Sequence, residues 1–453
     1  MTLDVVILAA GKGTRMRSAL PKVLHPLAGK PMVRHLLDTA AGLDAERTHV
    51  VVGHGADTLR EALADYEVNF ALQAEQKGTG HAVAQSLDQL GDGKVLVLYG
   101  DVPLIRRDTL RALLAPVDED HMALLTVTLE DPSGYGRILR NEAGEAVAIV
   151  EQKDASEAQR AVRECNTGIM AMTAAQLRRW LPRLSAENAQ GEYYLTDVIA
   201  MAAADGIGVA TAQPSRPVEV EGVNDRRQMA RLERTLQADI ADDLMAQGVA
   251  LRDPARLDVR GQLECGHDVE IDVGCIFEGH VELGEGVKVG PHCVIRDSHI
   301  GAETVIEAHS VIEGAVVAGH NQLGPFARLR PGTRLAVGAR VGNFVETKNV
   351  EVGEGSKINH LSYIGDARLG QGVNVGAGTI TCNYDGANKH RTDIGDGAFI
   401  GSNTALVAPV SIGKGATVGA GSTINRDVAE NTLAVERSRM TTKDDWQRPI
   451  KRG

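Results

Sequence analysis

The chain is short of rings, cysteine, positive charge and long apolar runs. Aromatic residues are 3% of 453 positions, with 2 Trp, 7 Tyr and 5 Phe. Its core must therefore be built mainly from aliphatic side chains. The five cysteines are Cys165, Cys265, Cys275, Cys293 and Cys382. Their number is odd and no C-x-x-C spacing occurs, which is the usage of reduced thiols in a cytoplasmic protein. Formal net charge is −12 and the pI is about 5.6. That disfavours nucleic acid and anionic membranes as partners of the whole surface, while leaving room for a local basic pocket. The apolar run Val5–Ala10 follows Met1-Thr2-Leu3-Asp4 without a basic stretch. It does not read as a secretory signal, it is too short to span a bilayer, and no later run is long enough either. With 15 Pro and no three-residue glycine spacing, a collagen-like chain is excluded. Charged residues at 24% and hydrophobic ones at 43% describe a globular protein long enough for two or three domains.

What the chain has in excess is glycine. Residues 1–250 hold 20 of the 50 glycines and residues 251–453 hold 30. The hydrophobic period changes across the same divide. In the first half, short apolar strands at Val5–Ala10, Val50–Val52, Val95–Tyr99 and Leu124–Leu129 alternate with helix-length segments such as 31–42 and 79–90. Pro31 suits a first helical turn, with Met32, His35, Leu36 and Thr39 following at helical spacing. This alternation predicts an α/β domain with a mixed, mostly parallel sheet covered on both faces, binding its ligands at the carboxyl ends of the strands. Over residues 226–248, Met229, Leu232, Leu236, Ile240 and Leu244 fall at spacings of three and four, predicting a linking helix that ends at Gly248.

From about residue 272 the period is six. Leu283, Val289 and Ile295 are one run; Val317, Leu323, Leu329, Leu335 and Val341 are another; Ile394, Ile400, Leu406, Ile412, Val418 and Ile424 are a third. Glycine often follows, as in Leu283-Gly284 and Ile400-Gly401. This predicts a parallel β-helix whose aliphatic residues point inward and whose next residue turns a corner, leaving no room for large rings between coils. About 150 residues at three six-residue sides per coil give roughly eight or nine coils. The frame breaks between 295 and 300, 312 and 317, 341 and 352, and 375 and 394. The last break contains Thr381-Cys382-Asn383-Tyr384-Asp385-Gly386-Ala387-Asn388-Lys389-His390, and an insertion into a rigid solenoid projects as a loop suited to function. The predicted organisation is a domain over 1–225, a linking helix over 226–248, and a β-helix with a C-terminal arm over 249–453.

The strongest local motif is Leu8-Ala9-Ala10-Gly11-Lys12-Gly13-Thr14-Arg15-Met16, followed by Pro21-Lys22. Gly11 and Gly13 let backbone N–H groups approach an anion, and Arg15 and Lys22 can neutralise a polyphosphate. Met16 replaces the third glycine of a dinucleotide fingerprint, and no G-K-[ST] occurs. The motif resembles the signature of sugar-nucleotide pyrophosphorylases. Gln73 and Gly78-Thr79 resemble the base-recognising segment of that family. Tyr99-Gly100-Asp101 resembles its metal-carrying strand end, Gly136, Glu151 and Asn166 its sugar contacts, and Asn224 a second metal position. The two halves together resemble the bacterial family of bifunctional uridyltransferase/acetyltransferases that make UDP-N-acetylglucosamine, in the same domain order.

That resemblance implies a Rossmann-like nucleotidyltransferase domain and a left-handed β-helix. It implies two reactions: acetyl-CoA-dependent N-acetylation of glucosamine 1-phosphate, then uridyl transfer from UTP to N-acetylglucosamine 1-phosphate, supplying peptidoglycan and lipopolysaccharide precursors. It implies Mg²⁺ on Asp101 and Asn224, with Arg15 and Lys22 at the leaving pyrophosphate. In the β-helix it implies His360 as catalytic base, with Glu346 a candidate to orient it. Arg330, Lys348 and Tyr363 match the sugar-phosphate site, and Asn374, Asn383 and Tyr384 further contacts. Ala377, Ser402, Ala420 and Arg437 match the acetyl-CoA site, to which Asn383 and Tyr384 also belong. A cytoplasmic homotrimer acting on small molecules, with neither nucleic acid nor membrane as partner, completes what it implies. Two other readings remain at this point. One is a single-activity pyrophosphorylase whose β-helix only assembles or regulates. The other is a non-catalytic subunit with a relic nucleotide site.

Overall fold

The computed structural model describes residues 1–451; Arg452 and Gly453, the end of the segment expected over 249–453, lie outside the described residues. The chain forms two compact units, the first ending at Leu236 and the second beginning at Gln237.

The first unit is built on a nine-stranded sheet. Its main path runs Gly208–Ala212, His121–Thr128, Glu164–Thr173, Lys94–Tyr99, Leu3–Leu8, Arg47–Val52 and Asn69–Leu72. Glu164–Thr173 is antiparallel to both neighbours, and the other pairs on this path are parallel. The strands are apolar on both faces because both faces are covered. Val5, Ile7, Leu96 and Leu98 join a core on one side, and Val6, Val95 and Val97 one on the other. The first strand stops at Leu8 rather than Ala10, so Ala9 and Ala10 already belong to the phosphate loop. The helix expected over 79–90 is an α-helix over Thr79–Ala84 followed by a 3₁₀ turn, Leu87–Gln89.

A helix covers Arg226–Ala246. Its Leu232 packs with Met16, Leu27, Met32 and Val223 of the first unit. Its Ala241 and Leu244 pack with Val249, Leu257 and Val259 of the second. Gln237 is 1% exposed, and its amide makes both a donor and an acceptor bond to the Val259 backbone at 2.8 Å. The residue at the division is thus fixed to the β-helix by a fully satisfied buried amide.

The second unit is a parallel β-helix. One ladder of eleven strands runs from Ala250–Leu251 to Leu433–Ala434. The solenoid therefore starts before residue 272 and has more turns than the eight or nine expected. Its first turns hide their period, because Cys265 and Phe277 stand on the six-residue frame between Val259, Ile271 and Leu283. Phe277 is 1% exposed, so one ring does fit between coils, contrary to the expectation from composition.

Register explains the frame breaks. Ile276 pairs with Val294 eighteen residues on, whereas Val294 pairs with Val311 and Val311 with Arg328, each seventeen on. The breaks after 295 and 312 are thus coils one residue short, not insertions. The gaps after 341 and 375 contain Thr347 and Thr381, buried on the frame. Their hydroxyls are satisfied inside, Thr347 against Thr333 and Thr381 against the Gly365 backbone. Only the last break holds an insertion: Ile380 pairs with Ala405, twenty-five residues on.

The glycines follow two rules where the sequence suggested one. A Cβ on Gly284, which follows the inward Leu283, would lie 2.6 Å from the Ala302 nitrogen of the next coil. That position needs glycine for space. The corner with positive φ comes two residues later, at Gly286 (φ +67). This is the position where a side chain costs backbone energy.

Candidate active sites

The carboxyl ends of the central strands meet at a cleft of about 230 Å³. Leu8, Ala9, Ala10, Gly11, Lys22, Gln73, Gly78, Thr79, Tyr99 and Asp101 line it. The loop after Leu8 is pinned at both ends. The Ala9 N–H donates to Val51 O at 2.9 Å, the Thr14–Met16 turn follows, and Met16 is buried against Leu27 and Met32. The residue that breaks the dinucleotide pattern is therefore the loop's hydrophobic anchor.

Four side chains converge at one end of the cleft. The Lys22 ammonium is salt-bridged to Asp101 and lies 3.4 Å from Asn224 Oδ1. The Arg15 guanidinium donates to the same Asn224 oxygen at 2.8 Å. Val223 N–H donates to Asp101 O at 2.9 Å, which holds the two oxygen-bearing loops together. A carboxylate and an amide oxygen thus already face a common positive charge. This donor set suits a hard divalent cation that draws its remaining ligands from phosphate and water. No cluster of three His, Cys, Asp or Glu side chains fit for a metal occurs among the described residues.

A second group adjoins through Tyr99. Its ring lies against Gly168, and its phenol is pushed well above the usual range by burial and by the charges of Asp101 and Glu151. Asn166 N–H donates to Gly136 O at 2.8 Å, and its Oδ1 accepts from Gly168 N–H at 2.8 Å. A Cβ on Gly136 would lie 3.2 Å from Glu151 Oε1. Burial raises the Glu151 carboxyl above the usual carboxylate range. Gly100 donates its N–H to Leu8 O at 2.9 Å, joining the phosphate loop to the Asp101 turn. Sequence reasoning missed Gln76, Val23, Ala82 and Glu192, which also line the cleft. Glu192 arrives with Tyr193, whose backbone brackets the loop through Tyr193 N–H to Lys77 O and Gly80 N–H to Tyr193 O, each 2.8 Å. No local motif announces it.

In the β-helix, residues far apart in sequence fall into one column. Register pairs Asn343 with His360. The same corner position recurs at Ala377, Ser402 and Ala420, the residues that precede Gly378, Asn403 and Gly421 with their positive φ. His360 is exposed there, and its Nδ1 lies 2.7 Å from Asn343 Oδ1. The Glu346 carboxylate accepts instead from the Arg330 guanidinium at 2.8 Å. Glu346 therefore does not orient His360. It stands past the corner, in register with Tyr363, whereas Asn343 is directly one coil below His360. The Arg437 guanidinium donates to Ala420 O at 3.0 Å, closing the column. Asn374 stands on the preceding side, in register with Lys357 and Phe399.

Lys348 lies on the same side as Tyr363, in register with Gly365, Arg330 stands one coil below, and the inserted loop adds Lys389. The Lys389 ammonium, and then the Arg330 guanidinium, hold the Lys348 amine below the usual lysine range. Lys389, not anticipated from the sequence, thus joins Lys348 and Arg330 in a cluster of three cations, with the Glu346 and Asp366 carboxylates close by. A pocket of about 450 Å³ beside them is lined by Asn349, Asp366, Lys389, His390 and Arg391 among others. Asn383 is drawn inward, donating to Asp366 Oδ2 at 2.5 Å, whereas Tyr384 faces outward and donates to Gly386 O at 2.6 Å. The loop is locked by Asp385, which accepts from the Ala387 and Asn388 N–H groups and pairs with His390 at 2.7 Å.

Comparison with known proteins agrees with this division. Residues 5–188 match the MobA-like NTP transferase domain, and residues 391–426 match six bacterial transferase hexapeptide repeats. The bifunctional protein GlmU of Chromohalobacter salexigens is 71% identical over 451 residues, covering 100% of both chains. Those of Marinobacter nauticus (60% identical, 99% of both chains) and Stutzerimonas stutzeri (59%, 100% of both) are similar end to end. Such identity over both units, with two transferase models on opposite ends, means that the chain belongs to the bifunctional GlmU family.

Proposed function

We propose that the second unit transfers the acetyl group of acetyl-CoA to glucosamine 1-phosphate, and that the first unit joins the product to the uridylyl group of UTP with release of pyrophosphate. The observation that carries this reading is a pair of charge clusters of different chemistry in two separate units. One is Lys22 and Arg15 on the Asp101 and Asn224 oxygens. The other is an exposed histidine on a corner of the β-helix together with a cluster of three cations on its coils.

In uridyl transfer the attacking oxygen belongs to a sugar phosphate that is already ionised, so the barrier is repulsion between anions rather than proton removal. Asp101 and Asn224 would hold Mg²⁺, which would supply charge neutralisation for the phosphates. Arg15 and Lys22 take up the charge of the leaving pyrophosphate, Arg as a fork and Lys as a point charge. The phosphate loop from Leu8 to Gly11 seats the nucleotide. Gln73, Gly78 and Thr79 face the base. Tyr99, Gly136, Glu151 and Asn166 line the sugar side.

Acetyl transfer needs a base, because the amine of glucosamine is protonated near neutral pH. His360 takes that proton. The free amine then attacks the thioester carbonyl, the C–S bond breaks, and the proton lost by the acylated nitrogen balances the one taken up by the leaving thiolate. Asn343 accepts from the ring's Nδ1–H, which leaves Nε2 as the proton acceptor. Arg330, Lys348 and Lys389 bind the sugar phosphate, with Tyr363, Asn374, Asn383 and Tyr384 around the sugar and the acetyl group. Ala377, Ser402, Ala420 and Arg437 receive acetyl-CoA along the column. An exposed base on a solenoid corner needs a wall, and a homotrimer in the cytoplasm would supply one from a neighbouring copy. Phe344 and Leu361, 56% and 62% exposed beside Asn343 and His360, support that. All five cysteines are free thiols, and no helix among the described residues is long and apolar enough to cross a membrane.

The test is a single assay with acetyl-CoA, glucosamine 1-phosphate, UTP and Mg²⁺ that follows thiol and pyrophosphate separately. Thiol release comes first and pyrophosphate depends on it. In a second arm N-acetylglucosamine 1-phosphate replaces glucosamine 1-phosphate: pyrophosphate there, with no thiol in the first arm, would leave a single-activity enzyme, and neither product in either arm would leave a non-catalytic subunit.

A further inference from the structure

Gln73 stands at the carboxyl end of the strand Asn69–Leu72, with its N–H bonded to Val52 O at 2.8 Å and its side chain 3% exposed at the wall of the cleft. Its amide nitrogen has two neighbours. Nε2 donates to Gly78 O at 3.0 Å and lies 3.1 Å from His81 Nδ1. A carbonyl oxygen can only accept, so the amino end of Gln73 must face Gly78. The second N–H then points to His81 Nδ1, which accepts it and carries its own proton on Nε2. Both donors of the amide are used. Its oxygen, Oε1, has no partner among the described residues, nor is it a sealed, unsatisfied atom. The side chain thus meets the cleft only as an acceptor.

Both restraints are anchored in the surrounding structure. Gly78 has φ +107, and a Cβ there would lie 2.6 Å from Tyr193 O, so its carbonyl is fixed by a close backbone approach. His81 sits on the helix Thr79–Ala84, its carbonyl bonded to Gln85 at 3.0 Å and its ring 6.5 Å from that of Tyr193.

We propose that His81 is a positioning residue that holds the Gln73 amide in one of its two orientations and so selects nucleobases presenting a ring N–H. The proposal rests on the uridyl-transfer reading above. A terminal amide torsion is roughly two-fold, so the alternative orientation differs chiefly in which atoms it hydrogen-bonds. Uracil offers N3–H to an acceptor. Cytosine has a bare nitrogen at N3, and its lone pair would face Oε1. A site with its polar groups fixed in this way discriminates by leaving the wrong ligand's group unpaired. Without His81, only Gly78 O opposes rotation of the amide, and the rotated side chain offers an N–H that suits cytosine.

The measurement is kcat/KM for UTP and for CTP with the full chain, with acetyl transfer by the same preparation as the control for folding. His81→Leu, or the smaller His81→Ala should leucine disturb the helix, is expected to lower the UTP-over-CTP ratio about tenfold, the effect of one hydrogen bond. His81→Asn keeps an acceptor atom at the same distance along the side chain and is expected to restore the ratio. An unchanged ratio in both apolar variants, with UTP still turned over, overturns the proposal. So does an equal loss in His81→Asn, which would make the role one of packing. A wild-type chain that does not turn over UTP is a different failure, and sinks the uridyl-transfer reading itself.

Discussion

The two units gather their functional residues by opposite routes. In the first, Lys22, Gln73, Asp101 and Asn224 come from four separate segments, Gln73 and Asp101 just past strand ends, Lys22 on a 3₁₀ turn and Asn224 before the long helix, and no spacing in the sequence relates them. In the second, Asn343, His360, Ala377, Ser402 and Ala420 are one corner position repeated on successive coils. A loop-built site can place unlike groups within hydrogen-bond reach, but each group depends on its own strand and turn. A column on a solenoid is placed by the repeat itself, and each coil contacts mainly its neighbours. The repeat is supplemented by one interruption, where seven extra residues bring in Asn383, Tyr384 and Lys389.

The sharpest way to break this contrast is to remove one key group from each unit and assay both reactions. Asp101→Ala deletes the oxygen that meets Lys22 and is expected to cost uridyl transfer about a thousandfold or more, with acetyl transfer unchanged. His360→Ala is expected to cost acetyl transfer between about a hundredfold and ten thousandfold, with uridyl transfer unchanged. Substantial uridyl transfer by the first variant at saturating Mg²⁺ sinks the assignment of Asp101. Loss of both activities in either variant sinks the picture of two independent sites, provided circular dichroism shows the chain folded.

A smaller effect separates the two kinds of glycine. In Gly284→Ala the new Cβ meets backbone of the adjacent coil at 2.6 Å, so coils must part; the expected loss is that of an overpacked core, about 1–3 kcal/mol. In Gly286→Ala the nearest atom is the end of the flexible Glu303 side chain, and the cost is that of a left-handed alanine, about 1 kcal/mol. Urea unfolding of the two variants tests the order. If Gly286→Ala is the more damaging, backbone conformation rather than stacking space governs the glycine excess.

The fold was legible wherever a period survived. Six-residue spacing located most of the β-helix, and alternation of strands with helices located the sheet. The period failed where polar or bulky residues took inward positions. Thr347 and Thr381 looked like gaps because a buried hydroxyl can pair with a backbone or another hydroxyl inside a narrow core. Phe277 and Cys265 concealed the first turns. The loop from Leu8 to Gly11 was legible as part of the cleft because its residues are contiguous. Glu192 and Gln76 were not, since they reach the cleft only through tertiary packing. Asn343 could have been found: seventeen residues before His360 is one short coil, and that arithmetic favours it over Glu346.

The finest distinction concerns the loop-borne cation, because there the periodic unit borrows the strategy of the other. Lys389, from the insertion, faces Lys348 and Arg330, from the coils, and lowers the Lys348 pKa. A lysine with a lowered folded-state pKa destabilises the fold at pH values below that pKa, where it is charged, and this penalty disappears as pH rises towards the unfolded value. Without an anion, Lys389→Gln is therefore expected to raise Tm slightly at neutral pH, and the gain should shrink as pH rises through the lowered pKa of Lys348. Inorganic phosphate should stabilise the wild type more than the variant, because the ligand relieves a repulsion that the variant has already lost. Thermal unfolding with and without phosphate, from neutral pH to about 10, measures both differences. If the variant keeps the full phosphate increment, Lys389 is not part of the anion site. The insertion would then carry Asn383 and Tyr384 alone, and all of the site's positive charge would come from the repeat.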